Sequence, residues 1–222
     1  VWAEQAIFTS LPRVGHEGYH LVSKSRGIGE EDARGIASWS PSHGGLVLDA
    51  NNRASVNFHP LPGGRFALSR SCEGPPEYSG RGGRQVYTHA LVLDEPALRV
   101  AGGQPFEIYS NALALGHLFH QFSPPRQLDR LELPEFHVER DRAGWLALAR
   151  ELGLPPLEPL RERLLAGRAI RFCYDGDRAL LAEYLVGSLP SDLVRRTSFA
   201  SSLRPSTVRP FSLLLVNSKV KG

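Results

Sequence analysis

Between Glu77 and Arg84 the chain reads EYSGRGGR, and the apolar run QVYTHALVLD, with His89 inside it, follows directly. Three glycines (Gly80, Gly82 and Gly83) and two arginines (Arg81 and Arg84) fall within five residues. Glycines allow unusual dihedrals, so backbone N–H groups can converge on an anion, and guanidinium groups add charge-assisted bonds. A phosphate loop, however, normally feeds a helix N-terminus, whereas this segment feeds a strand pattern. Neither GxxxxGK[ST] nor GxGxxG after a strand occurs. Two other readings remain: a tight turn with exposed arginines, and a partner-binding loop shaped by Glu77 and Tyr78. The residues singled out for ligand or partner binding are Glu77, Tyr78, Arg81, Gly82, Gly83, Arg84 and His89.

Nucleophilic chemistry has one candidate arrangement. Cys72 precedes the loop and His89 follows it, and an imidazole beside a thiol would activate the sulfur. Asp94 or Glu77 could orient that histidine. The local signatures of cysteine enzymes are missing, so no catalytic residue is assigned. Ser40-Pro41-Ser42-His43-Gly44-Gly45 places serine beside histidine, yet neighbours in sequence seldom point at each other, and the segment reads as loop. For metal, His117 and His120 stand three apart on a predicted helix and share its face. HExxH and CxxC are absent, a third ligand is not apparent, and neither a metal nor a cofactor is expected.

The elements that position these groups follow from periodicity. AIFTSL (6–11), GYHLVSKS (18–25), ASVNFHPL (54–61) and GRFALSRS (64–71) read as strands, the last two joined by a hairpin through Pro62-Gly63-Gly64. RQVYTHALVLD (84–94) is apolar on both faces and reads as a central strand. EEDARGIASW (30–39) is a helix with acids in its first turn, where the helix dipole favours them. Helices are predicted over 105–122, 141–153, 156–167 and 177–187, and late strands over 169–176, 197–203 and 211–217. The fold class is therefore α+β, with a strand-rich N-terminal half carrying a mixed or antiparallel sheet. A helix-rich C-terminal half returns to that sheet with late strands. Residues 1–222 read as one domain, with 1–122 and 135–222 as alternative lobes either side of the Pro-containing stretch 122–135.

Composition narrows the class. The chain has 222 residues, 41% hydrophobic and 22% charged, with a net charge of +3. That is ordinary globular composition, and no apolar stretch reaches the roughly 18 residues a membrane span needs. Nearly all the positive charge is arginine, which concentrates near the end at Arg195, Arg196, Arg204 and Arg209. A solvated face or a docking surface for a protein fits this better than nucleic-acid binding, for which no recognition signature is present. Two cysteines are too few for a disulfide scaffold, so a reducing cytoplasm is the default and both thiols are expected to be buried. The chain opens on Val1 and contains no methionine, so it is expected to be part of something longer.

The ordered segments QAIFTSLPR, GYHLVSKSRGI, WSPSHGGL, NFHPLPGGRFALSRS, PEYSGRGGRQVYTHALVLD and, late, LPSDLVRRTSFASSLRPSTVRPFSLLLV resemble the N-terminal domain, second type, of bacterial GTPase-associated protein 1. The EYSGRGGRQVYTH block is the most specific of them. The resemblance implies a component of a GTPase-centred bacterial conflict system, with this domain serving as a non-enzymatic adaptor beside further domains. It implies a protein partner from that system, and it brings no catalytic residues. The alternative, from another class, is a nucleotide or small-molecule enzyme or sensor using the Gly-Arg loop at 77–84. Function has to be argued from a site in either case.

Overall fold

The computed structural model describes residues 1–12, 18–77, 82–100, 102–134 and 141–220. In chain order the elements are β1 (Trp2–Ser10), β2 (Tyr19–Ser25), α1 (Glu30–Trp39), β3 (Ala54–Pro60), β4 (Phe66–Pro76), β5 (Arg84–Leu93), α2 (Glu95–Val100) and α3 (Pro105–Ala114). They continue as β6 (Gln127–Leu128), β7 (Leu131–Glu132), α4 (Arg142–Glu151), α5 (Glu158–Leu165), β8 (Ile170–Cys173), α6 (Arg178–Gly187), α7 (Ser191–Val194), β9 (Phe199–Ala200) and β10 (Leu213–Val216). The class is α+β. A mixed sheet runs β6-β2-β1-β5-β4-β3-β9-β10-β8, with β7 attached to the start of β1.

Strand pairing explains the order. β1, β5, β4 and β3 are antiparallel neighbours, and the β3–β4 hairpin closes with the Leu61 N–H donating to Arg65 O at 2.8 Å. Gly64 at the turn has φ +76°, a left-handed conformation that an L side chain rarely adopts. β5 lies between β1 and β4, and its residues from Gln85 to Leu93 are all buried, as the doubly apolar run predicts. β9 joins antiparallel to β3, and β10 and β8 then continue in parallel. The late strands therefore extend the sheet built by the first half.

The two faces are covered differently. Leu68, Leu91, Leu93, Phe58, Phe199 and Leu213 pack with residues of α2 to α6 in the largest core. On the other face Ala6, Ala67, Ala90 and Val92 meet Ala33 and Ile36 of α1. The alanines at these strand positions let the helix approach closely. Trp39 at the end of α1 stacks on His59 with centroids 4.6 Å apart. Burial pushes the His59 imidazole down to about 4, so it is neutral at pH 7.

One buried cation ties the halves together. The Arg178 side chain has no exposure and donates to Ser201 O (3.0 Å), Ser202 Oγ (3.1 Å), Asp49 Oδ2 (2.8 Å), Tyr174 O (3.2 Å) and Val47 O (2.8 Å). Its backbone N–H donates to Asn52 Oδ1 at 2.9 Å. Burial by itself would raise the Asp49 carboxyl. Hydrogen bonds from Asn52, Arg178 and Asn217 outweigh that and hold it at about 2.

Two sequence expectations change here. The helix predicted over 105–122 ends at Ala114, because Gly116 takes φ +83° and Leu118 takes φ 65°, dropping its side chain fully into the core. His117 and His120 thus lie in the following loop rather than on one helix face. Cys72 is buried as expected, but Cys173 is exposed, because it closes β8 at the edge of the sheet.

Candidate functional site

The Gly-Arg segment is the tip of the β4–β5 hairpin. Pro76 pairs with Arg84, and the register shifts between Glu73 and Pro76. The Glu77 N–H donates to Gly83 O at 3.1 Å and closes the turn. Gly82 and Gly83 have φ +76° and +83°, which favours glycine at both positions. A Cβ on Gly83 would stand 2.7 Å from His43 Cε1. The His43-Gly44-Gly45 loop therefore backs the tip, which joins two segments that sequence reading kept apart. Gly82, Gly83 and Arg84 are exposed. Tyr78 and Arg81 lie outside the described residues. Arg84 Nε is 3.5 Å from Glu73 Oε2, and both side chains are more than half exposed. Such a surface pair contributes at most about 1 kcal/mol, so it leaves the guanidinium available to a partner.

Glu77 has a different task from the one its position in the motif suggests. Its carboxylate accepts from Ser10 Oγ at 2.9 Å and from Tyr19 OH at 3.2 Å. The Tyr19 oxygen in turn accepts from the Val86 N–H at 2.9 Å. Burial and the neighbouring Glu77 charge push the Tyr19 phenol up to about 12, against the opposing Val86 bond. Glu77 thus pins β1, β2 and β5 to the hairpin base. Ser10 and Tyr19 are 67 and 58 residues away, and no local pattern announced them. Glu77→Ala is expected to lower stability by about 1–2 kcal/mol through the stranded hydroxyls. A fall in urea midpoint with an unchanged slope checks this.

His89 does not join the tip. It lies five residues along β5 from Arg84, roughly 16 Å by strand rise, and it is 1% exposed. Its Nε2 lies 2.9 Å from Gln5 Oε1. Burial, with His117 adding to it, pushes the imidazole down to about 4, so it is neutral at pH 7. The Cys72–His89 arrangement is not assembled as a couple either. In register Cys72 stands opposite Tyr87, while His89 stands opposite Arg70. Burial raises the Cys72 thiol above its usual value, the opposite of what an activated nucleophile needs. Among the described residues no three His, Cys, Asp or Glu side chains group as metal ligands. The structure therefore brings together Glu77, Gly82, Gly83, Arg84 and His43, and places His89 in the sheet interior.

Among the described residues no helix is long and apolar enough to cross a membrane. No curated protein and no solved structure matches the chain. A family model described as GTPase-associated protein 1, N-terminal domain type 2, matches residues 2–134. The match runs from β1 through β7 and includes both the hairpin tip and the His43 loop, while the segment 189–216 lies beyond it. With more than half of its length under that match, the chain belongs to the GTPase-associated protein 1 family, as an N-terminal domain of type 2.

Proposed function

We propose that this chain is a non-enzymatic adaptor or regulatory domain, and that the hairpin tip is its contact surface for a protein of the same GTPase-centred system. The observation that carries the reading is the tip itself. Gly82, Gly83 and Arg84 are exposed on a base that Glu77 clamps to β1, β2 and β5 and that His43 backs. An anchored hairpin base limits the freedom lost on binding, and an exposed arginine is a common interface anchor. The family's association with GTPases points to the class of partner. Residues 1–222 are treated as one α+β domain in this reading, acting in a reducing cytoplasm.

Arg84→Ala, alone and with Arg81→Ala, is expected to weaken binding to the system's GTPase component by about tenfold or more. For the exposed Arg84→Ala change, thermal stability should stay within about 0.5 kcal/mol. Calorimetric titration of the purified pair reads the first quantity and thermal unfolding the second. Equal affinity for wild type and the double variant overturns the tip as the contact surface.

A further inference from the structure

A second arginine-bearing feature lies away from the hairpin tip. A groove of about 220 Å³ opens between β3, β4, α3 and the start of α6. Its walls include Asn51, Arg53, Arg70, Tyr109, Phe119 and Asp177. Arg70 is half-buried, and its Nη1 donates to Leu118 O at 3.3 Å. The guanidinium sits 5.5 Å from the centroid of the Phe119 ring, and it also interacts with the Tyr109 hydroxyl and the Cys72 thiol. None of these partners carries a negative charge at neutral pH. Among the described residues no carboxylate comes within ion-pair distance of Arg70 or Arg53. Arg178, by contrast, is fully buried and its charge is matched by Asp49 at 2.8 Å.

A half-buried guanidinium without a counter-ion, opening on a groove, is poised for an anion. It has five N–H donors in a planar fork, and the partners it meets, the Leu118 carbonyl, the Tyr109 hydroxyl and the Cys72 thiol, are all neutral. Asp177 is the one acidic wall, and its Oδ1 accepts from the Leu180 N–H at 2.9 Å as the cap of α6. Two guanidinium groups against one committed carboxylate leave the walls with a positive balance. Tyr109 and the half-exposed Phe119 supply flat apolar sides against which the body of a ligand can lie.

We propose that this groove binds the oxyanion of a small molecule, phosphate or carboxylate, with Arg70 as the primary receptor and Arg53 at the rim. The site is separate from the hairpin tip, so it can be tested independently of the contact surface argued above.

The experiment is calorimetric titration of the chain with inorganic phosphate and, separately, with acetate, at constant ionic strength. Saturable binding of either anion, at least about tenfold weaker in Arg70→Gln, is expected from the loss of charge-assisted bonds. Phosphate preference identifies a phosphate-bearing ligand, and acetate preference a carboxylate-bearing one. Arg53→Gln, an exposed change that leaves the core intact, should cost a few-fold, and Arg84→Gln should change nothing. Absence of saturable binding by both anions overturns the proposal. So does a folded Arg70→Gln protein, judged by its thermal unfolding, that titrates as wild type does.

Discussion

Replacing Arg178 by methionine is expected to lower unfolding stability by about 4 kcal/mol, the range for breaking a buried ion pair from one side. The methionine stem keeps much of the packing volume but none of the donors. Asp49 would lose its charged partner, and the carbonyls of Val47 and Tyr174 would lose their guanidinium donors inside the fold. For a chain of this size that loss corresponds to a fall in Tm of roughly 8–16 °C, read by differential scanning calorimetry. The same contact sets a pH dependence. The Asp49 carboxyl is held at about 2 in the fold against an ordinary 3.8. Its contribution, at most about 2 kcal/mol after solvent screening, is complete only above about pH 5 and is lost as pH falls through 3.8 towards about 2. In Arg178→Met that acid-dependent increment should shrink sharply, so the two stability curves converge at low pH.

Phe199→Ala carries an expected loss of similar size, about 4 kcal/mol. Phe199 is fully buried in β9, a strand of two residues. Its ring stacks on Phe58 of β3 at 5.7 Å and on Phe106 of α3 at 5.0 Å. Phe58 in turn stacks on Phe66 at 5.6 Å. So short a strand has few ladder bonds, and the aromatic column does much of the work of fixing β9 against β3. Truncation leaves a cavity where the late strands meet the early ones. Urea unfolding should show a midpoint lower by about 2 M if the slope is near 2 kcal/mol/M. A loss below about 1 kcal/mol would mean that the column relaxes around the gap and that β9 is held by its neighbours instead.

Much of the fold could be read before any coordinates. The run QVYTHALVL is apolar at both parities, and only a strand flanked on both sides and covered on both faces can bury it; β5 is that strand. The α1 boundaries follow from three acids in the first turn and from Pro41 just beyond the end. Other features resisted. The helical pattern of 105–122 continues past Ala114, but a left-handed Gly116 and the core's demand for Leu118 stop the helix early. The strands β6 and β7 are two residues each, too short to leave a period in the sequence.

At the candidate site the division is just as clear. The residue types alone give a glycine-rich loop carrying arginine ahead of a strand; that it joins β4 to β5, with Gly82 and Gly83 left-handed, is decided by the fold. They also establish the family, through the order of its segments. Tertiary structure alone decides that Glu77 serves as an anchor for Ser10 and Tyr19, that His89 is neutral inside the sheet, and that Arg70 lines a groove with no carboxylate among the described residues within ion-pair distance of it. Each of these outcomes depends on contacts between residues far apart in the chain. Local sequence fixes backbone conformation through short-range sterics, but desolvation and charge pairing act through space, and they take their sign from neighbours that only folding brings near.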